Sequence, residues 1–205
     1  MFKLLRRLVV AILVLAGIVA LAGAAAFVSG GISARQSPGS IELAVAPKLR
    51  SLAIPREARE QKNPVADSPA VIKEGMEHFA DHCAVCHGND GSGDTEMGRG
   101  LYPRAPDMRL AATQNLTDGE LFYIIQNGIR LTGMPGWGNG SERDSEDSWK
   151  LVHFIRHLSQ LTLEERKAME KMNPKSPDEL REEQEEERFL RGEDSHEAIP
   201  EHHHH

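Results

Sequence analysis

The sequence has few cysteines, few aromatic residues and fewer basic than acidic residues, and each shortage limits the kind of protein it can encode. Its 205 residues include two cysteines, both within one five-residue segment, so no disulfide framework stabilises the fold. Aromatic residues make up 5% of the chain, which predicts a thin hydrophobic core that needs apolar mass from elsewhere. Lys and Arg number 24 against 31 Asp and Glu, a balance that predicts no binding to nucleic acid.

The excess of negative charge lies at one end of the chain. Residues 161–205 contain 7 basic and 14 acidic side chains, whereas residues 1–160 are neutral overall. This distribution indicates an acidic helical tail, exposed to solvent or used for electrostatic docking. The four histidines that end it are either a truncated purification tag or a metal-sequestering tract. The predicted divisions are an N-terminal membrane anchor or signal peptide (1–29), a linker (30–67), one small domain (68–160) and the acidic tail (161–205).

The N-terminus predicts export from the cytoplasm. Leu8 to Val28 is a run of 21 residues without charge or proline, preceded by Lys3, Arg6 and Arg7. A run of this length spans a bilayer as a single helix, and the flanking positive charges favour a cytoplasmic N-terminus. The alternative is a cleaved signal peptide, because residues 22–26 offer small-residue cleavage patterns. In either case the domain lies outside the cytoplasm.

The motif with the most specific chemistry is Cys83-Ala84-Val85-Cys86-His87. A C-x-x-C-H pentad is typical of covalent c-type haem attachment: the two thiols, one helical turn apart, add to the porphyrin vinyl groups, and the imidazole reaches the iron. A redox dithiol is a weaker interpretation, because no βαβ pattern surrounds the pair. Zinc is weaker too, because no second pair of ligands lies at finger spacing. The sequence therefore predicts one covalent haem c with His87 as an iron ligand.

Helix signals surround the pentad. Ser68-Pro69 predicts the start of a first helix whose apolar stripe leads to the pentad, and Gly75 within it predicts close packing of another backbone or an aromatic ring. Thr117 with Glu120 predicts a second helix that ends at Gly128. Further helices are predicted over about 145–158, from Thr162 with Glu165, and from Ser176-Pro177 to Arg191. The prolines at 38, 47, 55 and 64 favour a linker over 30–67, although residues 41–46 are apolar enough to pack.

The opposite face of the iron needs a second ligand, and a thioether is the usual one in an electron carrier. Met134 lies on a stiff Gly/Pro turn far enough from His87 to reach round the porphyrin, and the alternative is a core methionine. The other candidates after the initiating residue are less suitable, because they lie on the packing stripe, in the 88–116 loop or in the charged tail: Met76, Met97, Met108, Met169 and Met172.

Four segments together resemble class I cytochrome c, closest to the modules of bacterial haem-copper oxidase subunits and membrane-anchored dehydrogenase cytochromes. They are the run 83–88, Asp90-Gly91-Ser92-Gly93, Ala105-Pro106-Asp107-Met108 and Gly133-Met134-Pro135. The resemblance covers about residues 69–160. It implies an all-α class I cytochrome c fold wrapped around one covalent haem, preceded by one transmembrane helix and followed by the acidic helical tail.

The resemblance also implies roles for individual residues. Cys83 and Cys86 form the thioethers, His87 and Met134 are the axial ligands, and the Pro106 carbonyl accepts a hydrogen bond from the other nitrogen of His87. Met108 stands where the family usually has leucine, which leaves it a weak rival ligand. Gly75 and Phe79 are expected to cross the face of the later helix that contains Trp149 and Phe154. Four arginines are possible partners for the haem propionates: Arg99, Arg104, Arg109 and Arg130.

The predicted function is electron transfer between periplasmic or membrane redox partners in a respiratory chain. No substrate pocket is needed for it, so the chain is expected to be an electron carrier and not an enzyme. The expected location is the bacterial inner membrane, single-pass, with the haem domain in the periplasm. The expected partners are redox proteins: an oxidase, a dehydrogenase or a quinol-oxidising complex. Two alternatives remain open at this point. One is a haem sensor or peroxidase in which Met134 dissociates, and the other is a docking subunit of a larger oxidase or dehydrogenase.

Overall fold

The computed structural model describes residues 2–175 and 177–191, and every regular element in that part of the chain is helical. The predicted all-α fold is confirmed. The α-helices, in chain order, are α1 (Phe2–Gly30), α2 (Ser40–Ala53), α3 (Arg56–Glu60), α4 (Pro69–His78), α5 (Ala84–His87), α6 (Glu96–Gly100), α7 (Ala111–Gln114), α8 (Asp118–Asn127), α9 (Glu142–His157), α10 (Leu163–Glu170) and α11 (Pro177–Leu190). A π-helical turn, Phe79–Cys83, joins α4 to α5, and a 3₁₀ turn, Leu158–Gln160, follows α9.

Helix α1 has the length and apolar character needed to cross a membrane. An 18-residue stretch within Phe2–Ala26 has a mean hydropathy of 2.8, and none of that stretch is buried against the rest of the chain. A helix of this kind would expose a large apolar surface in water. It therefore either lies in a lipid bilayer or is cleaved from the chain as a signal peptide.

The core forms where α4 crosses α9. Ser68 caps α4 by accepting a hydrogen bond from the Val71 amide, as Ser68-Pro69 predicts. Phe79 and Phe154 are buried with ring centroids 5.1 Å apart, which confirms the expected crossing of the two helices. On the other side of α9, Trp149 stacks on Phe122 with centroids 4.0 Å apart. These two aromatic pairs pack large side chains against α9 from both sides.

The local signals for later helices correspond to real caps. Thr117 and Glu120 form the predicted capping box of α8, which ends at Gly128 with φ +67°. The prediction for α9 was wrong at its start: the helix begins at Glu142, because the Ser141 side chain accepts a hydrogen bond from the Asp144 amide. A serine cap in a run of polar residues therefore adds a turn that the apolar periodicity does not indicate.

The segment predicted as a linker, 30–67, contains helices α2 and α3 and is attached to the domain. The Thr117 hydroxyl donates to the Arg59 carbonyl at 2.8 Å, and a β carbon on Gly119 would stand 1.9 Å from the Ala58 carbonyl oxygen. The Asn63 side-chain amide donates to the Trp149 carbonyl at 3.0 Å. These residues therefore pack along α8 and α9 and are not a free spacer.

The segment after residue 160 also differs from a plain solvated tail. Helix α10 has the predicted capping box of Thr162 and Glu165, and its Met169 is fully buried in the core. Helix α11 is exposed, and its acidic side chains face solvent. The expected cap at Ser176, the stop at Gly192 and the terminal histidines lie outside the described residues.

Candidate functional site

A cavity of about 600 Å³ lies beside the pentad, within the range of about 300–1,000 Å³ that small-molecule and cofactor sites occupy. All five residues that the sequence predicted for the cofactor line it: Cys83, Cys86, His87, Pro106 and Met134. The remaining wall is mostly apolar, with side chains from the π-helical turn, α8, α9 and the loops that follow α6 and α8: Phe79, Leu101, Ile125, Ile129, Leu151 and Ile155. An apolar wall of this kind is suited to a flat, hydrophobic group.

Cys83 ends the π-helical turn, and Cys86 lies within α5. Neither forms a disulfide. Burial, with a smaller contribution from Cys86, raises the pKa of Cys83 to about 12, and burial also raises the pKa of Cys86. Redox dithiols have the opposite character, because a nearby positive charge or helix N-terminus lowers the pKa of their reactive thiol. The surroundings of this pair are therefore unlike those of a redox dithiol.

His87 is 8% exposed and its ring faces the cavity. Burial lowers its pKa, and the nearby backbone carbonyl of Pro106 partly offsets that effect. The Nδ1 atom is buried and makes no hydrogen bond of normal geometry, so the carbonyl lies close to the ring without a well-formed bond to it. A β carbon on Gly93 would stand 2.3 Å from the Ala105 carbonyl oxygen, so glycine allows the 88–93 loop to hold this carbonyl segment against the pentad.

Met134 lies on a turn that is fixed by its own hydrogen bonds. The Thr132 hydroxyl donates to the Ile129 carbonyl at 2.7 Å and accepts from the Met134 amide at 3.1 Å. The Ile129 amide donates back to the Met134 carbonyl at 3.1 Å. A β carbon on Gly128 would stand 2.6 Å from that same carbonyl oxygen, so the turn packs directly against the end of α8.

Two of the other candidate methionines, Met97 and Met108, also line the cavity. Met97 is 54% exposed, and Met108 packs against the hydrophobic core. Met76 and Met169 are buried in that core, and the half-buried Met172 packs against it, so none of the three lines the cavity. Placing Met169 in a charged tail was therefore wrong.

The arginines considered for the propionates differ in their surroundings. Arg99 pairs with Asp94 at 2.6 Å, and Arg109 pairs with Asp107 at 2.7 Å, so each already has a carboxylate partner close to it in sequence. Arg104 lines the cavity, and Arg130 does not. A fifth arginine, Arg50 of α2, lines the cavity as well and was not predicted from the sequence.

The donor set and the cavity fit a covalently attached haem. Two free thiols, a buried imidazole with an unpaired Nδ1 atom and a thioether line one apolar space. In contrast, no group of three or more His, Cys, Asp or Glu side chains in residues 2–175 and 177–191 could hold a metal ion directly. The zinc alternative has no support there.

Two functional features were missed by sequence reasoning, the Thr132 hydroxyl and the helix α2. A threonine two residues before the candidate ligand is a recognisable turn signal, because Ser and Thr hydroxyls commonly bond to backbone amides two residues on. The position of α2 at the cavity has no comparable local signal.

Comparison with known proteins agrees with this site. Residues 70–155 match the family described as cytochrome C oxidase, cbb3-type, subunit III. Over 80 residues the chain is 38% identical to the cbb3-type cytochrome c oxidase subunit FixP of Azorhizobium caulinodans. The alignment covers 35% of this chain and 22% of the relative, so the chain spans about a fifth of that protein's length. The resemblance predicted from the motifs is confirmed: residues 70–155 are similar to the cytochrome c domains of cbb3-type oxidase subunits, and cytochromes c carry covalently bound haem c.

Proposed function

We propose that this chain is a membrane-anchored electron carrier that holds one haem c with His87 and Met134 as axial ligands. The observation that supports this proposal best is the shared cavity, which brings both candidate ligands together with Cys83, Cys86 and Pro106. When bound, haem c supplies a one-electron couple between ferric and ferrous iron.

Each side chain has a defined task in this arrangement. Cys83 and Cys86 attach the porphyrin as thioethers, and His87 provides its Nε2 to the iron. The Pro106 carbonyl lies near His87 Nδ1, and in the haem-loaded protein we expect it to accept a hydrogen bond from that atom, which would fix the tautomer and the ring plane. The Met134 thioether favours the ferrous state, so histidine with methionine gives a higher potential than two nitrogen ligands.

The apolar wall keeps water from the iron. Phe79, Ile125 and Ile155 line the cavity, and Phe79 and Ile155 are at most 2% exposed. A dry, apolar environment disfavours the more highly charged ferric centre and prevents a solvent molecule from replacing Met134. The arrangement therefore suits outer-sphere electron transfer and contains no group assigned to substrate chemistry.

The expected partners are other redox proteins. The relative is named as a subunit of a cbb3-type oxidase, which supports membership of an oxidase complex as donor or relay. Helix α1 holds the domain at the membrane, with Lys3, Arg6 and Arg7 on the cytoplasmic side and the haem domain in the periplasm. Anchoring raises the effective concentration of partners in the same membrane.

Absorption spectra of the haem-loaded protein test the ligand assignment. In the oxidised wild type we expect the near-infrared band of sulfur-to-ferric-iron charge transfer, and we expect Met134→Ala to lose it. Met108→Ala is the matched control, because it removes another thioether from the same cavity, and it should retain the band. Loss of the band in Met108→Ala alone would transfer the assignment to Met108. An absent band in wild type, with ready binding of carbon monoxide to the reduced form, would favour a sensor or peroxidase.

A further inference from the structure

Helix α2 forms one side of the cavity, although it lies before the segment that matches the family. Six residues at or near α2 line the cavity at helical spacing: Pro38, Glu42, Leu43, Ala46, Pro47 and Arg50. The α2 helix is otherwise exposed, so the cavity is the surface against which it packs. Its position is therefore tied to what fills that space.

Two side-chain hydrogen bonds connect α2 to the domain. The Tyr102 hydroxyl donates to Glu42 at 2.5 Å near the start of the helix, and the Ser51 hydroxyl donates to Glu120 at 3.3 Å near its end. Both link α2 to elements on the domain side of the cavity. Helix α2 therefore lies across one side of the cavity and is attached to the domain near both of its ends. In the sequence it stands between the apolar helix α1 and the pentad.

Arg50 is the residue of α2 whose side chain lacks a partner within the described residues. Its Nε atom is buried without a hydrogen-bond partner, and within the described residues its guanidinium makes no ion pair. A buried guanidinium N–H without an acceptor is costly, so such a group is normally matched by an acceptor, and best by an anion. Glu42 is the single carboxylate among the cavity-lining residues, and it accepts from Tyr102 instead.

The chemistry of the missing anion follows from the cofactor. A haem has two carboxylate side chains, and a guanidinium binds a carboxylate through two parallel hydrogen bonds. The two arginines that line the cavity, Arg50 and Arg104, have no carboxylate partner in the described residues, whereas Arg99 and Arg109 lie outside its lining and pair with Asp94 and Asp107. We propose that Arg50 binds a haem carboxylate and that this contact closes α2 over the haem. The proposal rests on the proposed haem site and adds a cofactor contact from outside the matched domain.

The closure can be measured by hydrogen exchange on the full-length, haem-loaded protein in detergent, for wild type, Arg50→Gln and Lys48→Gln. Lys48 is an exposed residue of the same helix, so its variant removes an equal charge without touching the cavity. A hydrogen bond between charged groups is worth enough to change local opening about tenfold or more. We expect amides of α2 to exchange about tenfold faster in Arg50→Gln, with α9 unchanged, and no change in Lys48→Gln.

The midpoint potential of the haem distinguishes a direct contact from a structural role, because an arginine that only stabilises the fold would not change that potential when it is replaced. Loss of a cation beside a haem carboxylate leaves its negative charge unbalanced and stabilises ferric iron, so Arg50→Gln should have a lower potential than Lys48→Gln. Equal exchange in the two variants would overturn the closure, and faster exchange with equal potentials would overturn the carboxylate contact. The near-infrared band in the same samples reports the axial ligands separately, so failure of the haem assignment is distinguishable from failure at Arg50.

Discussion

The backbone of Gly75 lies against the carbonyl of Lys150, so close that a β carbon on Gly75 would stand 2.3 Å from that oxygen and 3.0 Å from the β carbon of Phe154. The contact lies at the crossing of α4 and α9, and α4 leads through the π-helical turn to the pentad. Backbone cannot move aside without separating the two helices. Glycine is therefore required at this position by packing and not by its φ angle.

Gly75→Ala is expected to destabilise the domain by about 1–3 kcal/mol, the usual cost of overpacking a well-packed junction. Thermal or denaturant unfolding of the haem-loaded protein measures it. The matched control is Gly100→Ala, because no atom outside the immediate chain lies within 4 Å of the added carbon there. The control should change the free energy of unfolding by less than about 1 kcal/mol. Equal effects of the two substitutions would show that the α4–α9 contact is looser than described.

The Thr132 hydroxyl bonds to both ends of the Met134 turn, and the neighbouring Leu131 has φ +65°. A non-glycine residue in this region is strained and needs surrounding contacts to hold it. We expect Thr132→Val to weaken or abolish the near-infrared band attributed to Met134, because two hydrogen bonds of about 0.5–1.5 kcal/mol each are lost. Thr132→Ser retains the hydroxyl and should retain the band. An undiminished band in the valine variant would mean that the turn is held by packing alone.

How much the sequence predicts depends on whether the signal is local. The capping box at Thr117 and the pentad each depend on residues only a few positions apart in the sequence, and both were located correctly. Helix α2 was missed because its apolar face packs at a cofactor cavity formed by distant residues, and because Pro47 lies inside it. Met169 was misplaced because its neighbours are charged, whereas burial is decided by contacts made across the fold.

Met169 provides a test of where the domain ends. It is fully buried in the core although it lies beyond residues 70–155. We expect Met169→Ala to lower the free energy of unfolding by about 2–5 kcal/mol, as for other large core side chains. Leu163→Ala, on the same helix but 63% exposed at the leucine, should change it by less than about 0.5 kcal/mol. If both substitutions change the free energy of unfolding by similarly small amounts, α10 does not unfold together with the rest of the domain.

Glu165 connects α10 to α9 and gives the domain a predictable response to acid. Its carboxylate accepts from the Thr162 amide at 2.8 Å and the Thr162 hydroxyl at 2.9 Å, and His157 Nε2 lies 2.9 Å away. Desolvation alone would raise the pKa of Glu165, but these hydrogen bonds and the charge of His157 outweigh it and lower the pKa.

Because the pKa of Glu165 is lower in the folded state than in the unfolded state, the unfolded chain takes up the proton first as pH falls. The stabilisation is fully present above the ordinary glutamate pKa of about 4.3 and is lost as pH decreases through the lower, folded value. We expect Glu165→Gln to reduce the dependence of unfolding free energy on pH between about pH 6 and about pH 3. Glu164→Gln removes an adjacent, exposed carboxylate without a hydrogen bond in the described structure and is the control. If both variants retain the wild-type slope, the contact between Glu165 and Thr162 does not survive in solution.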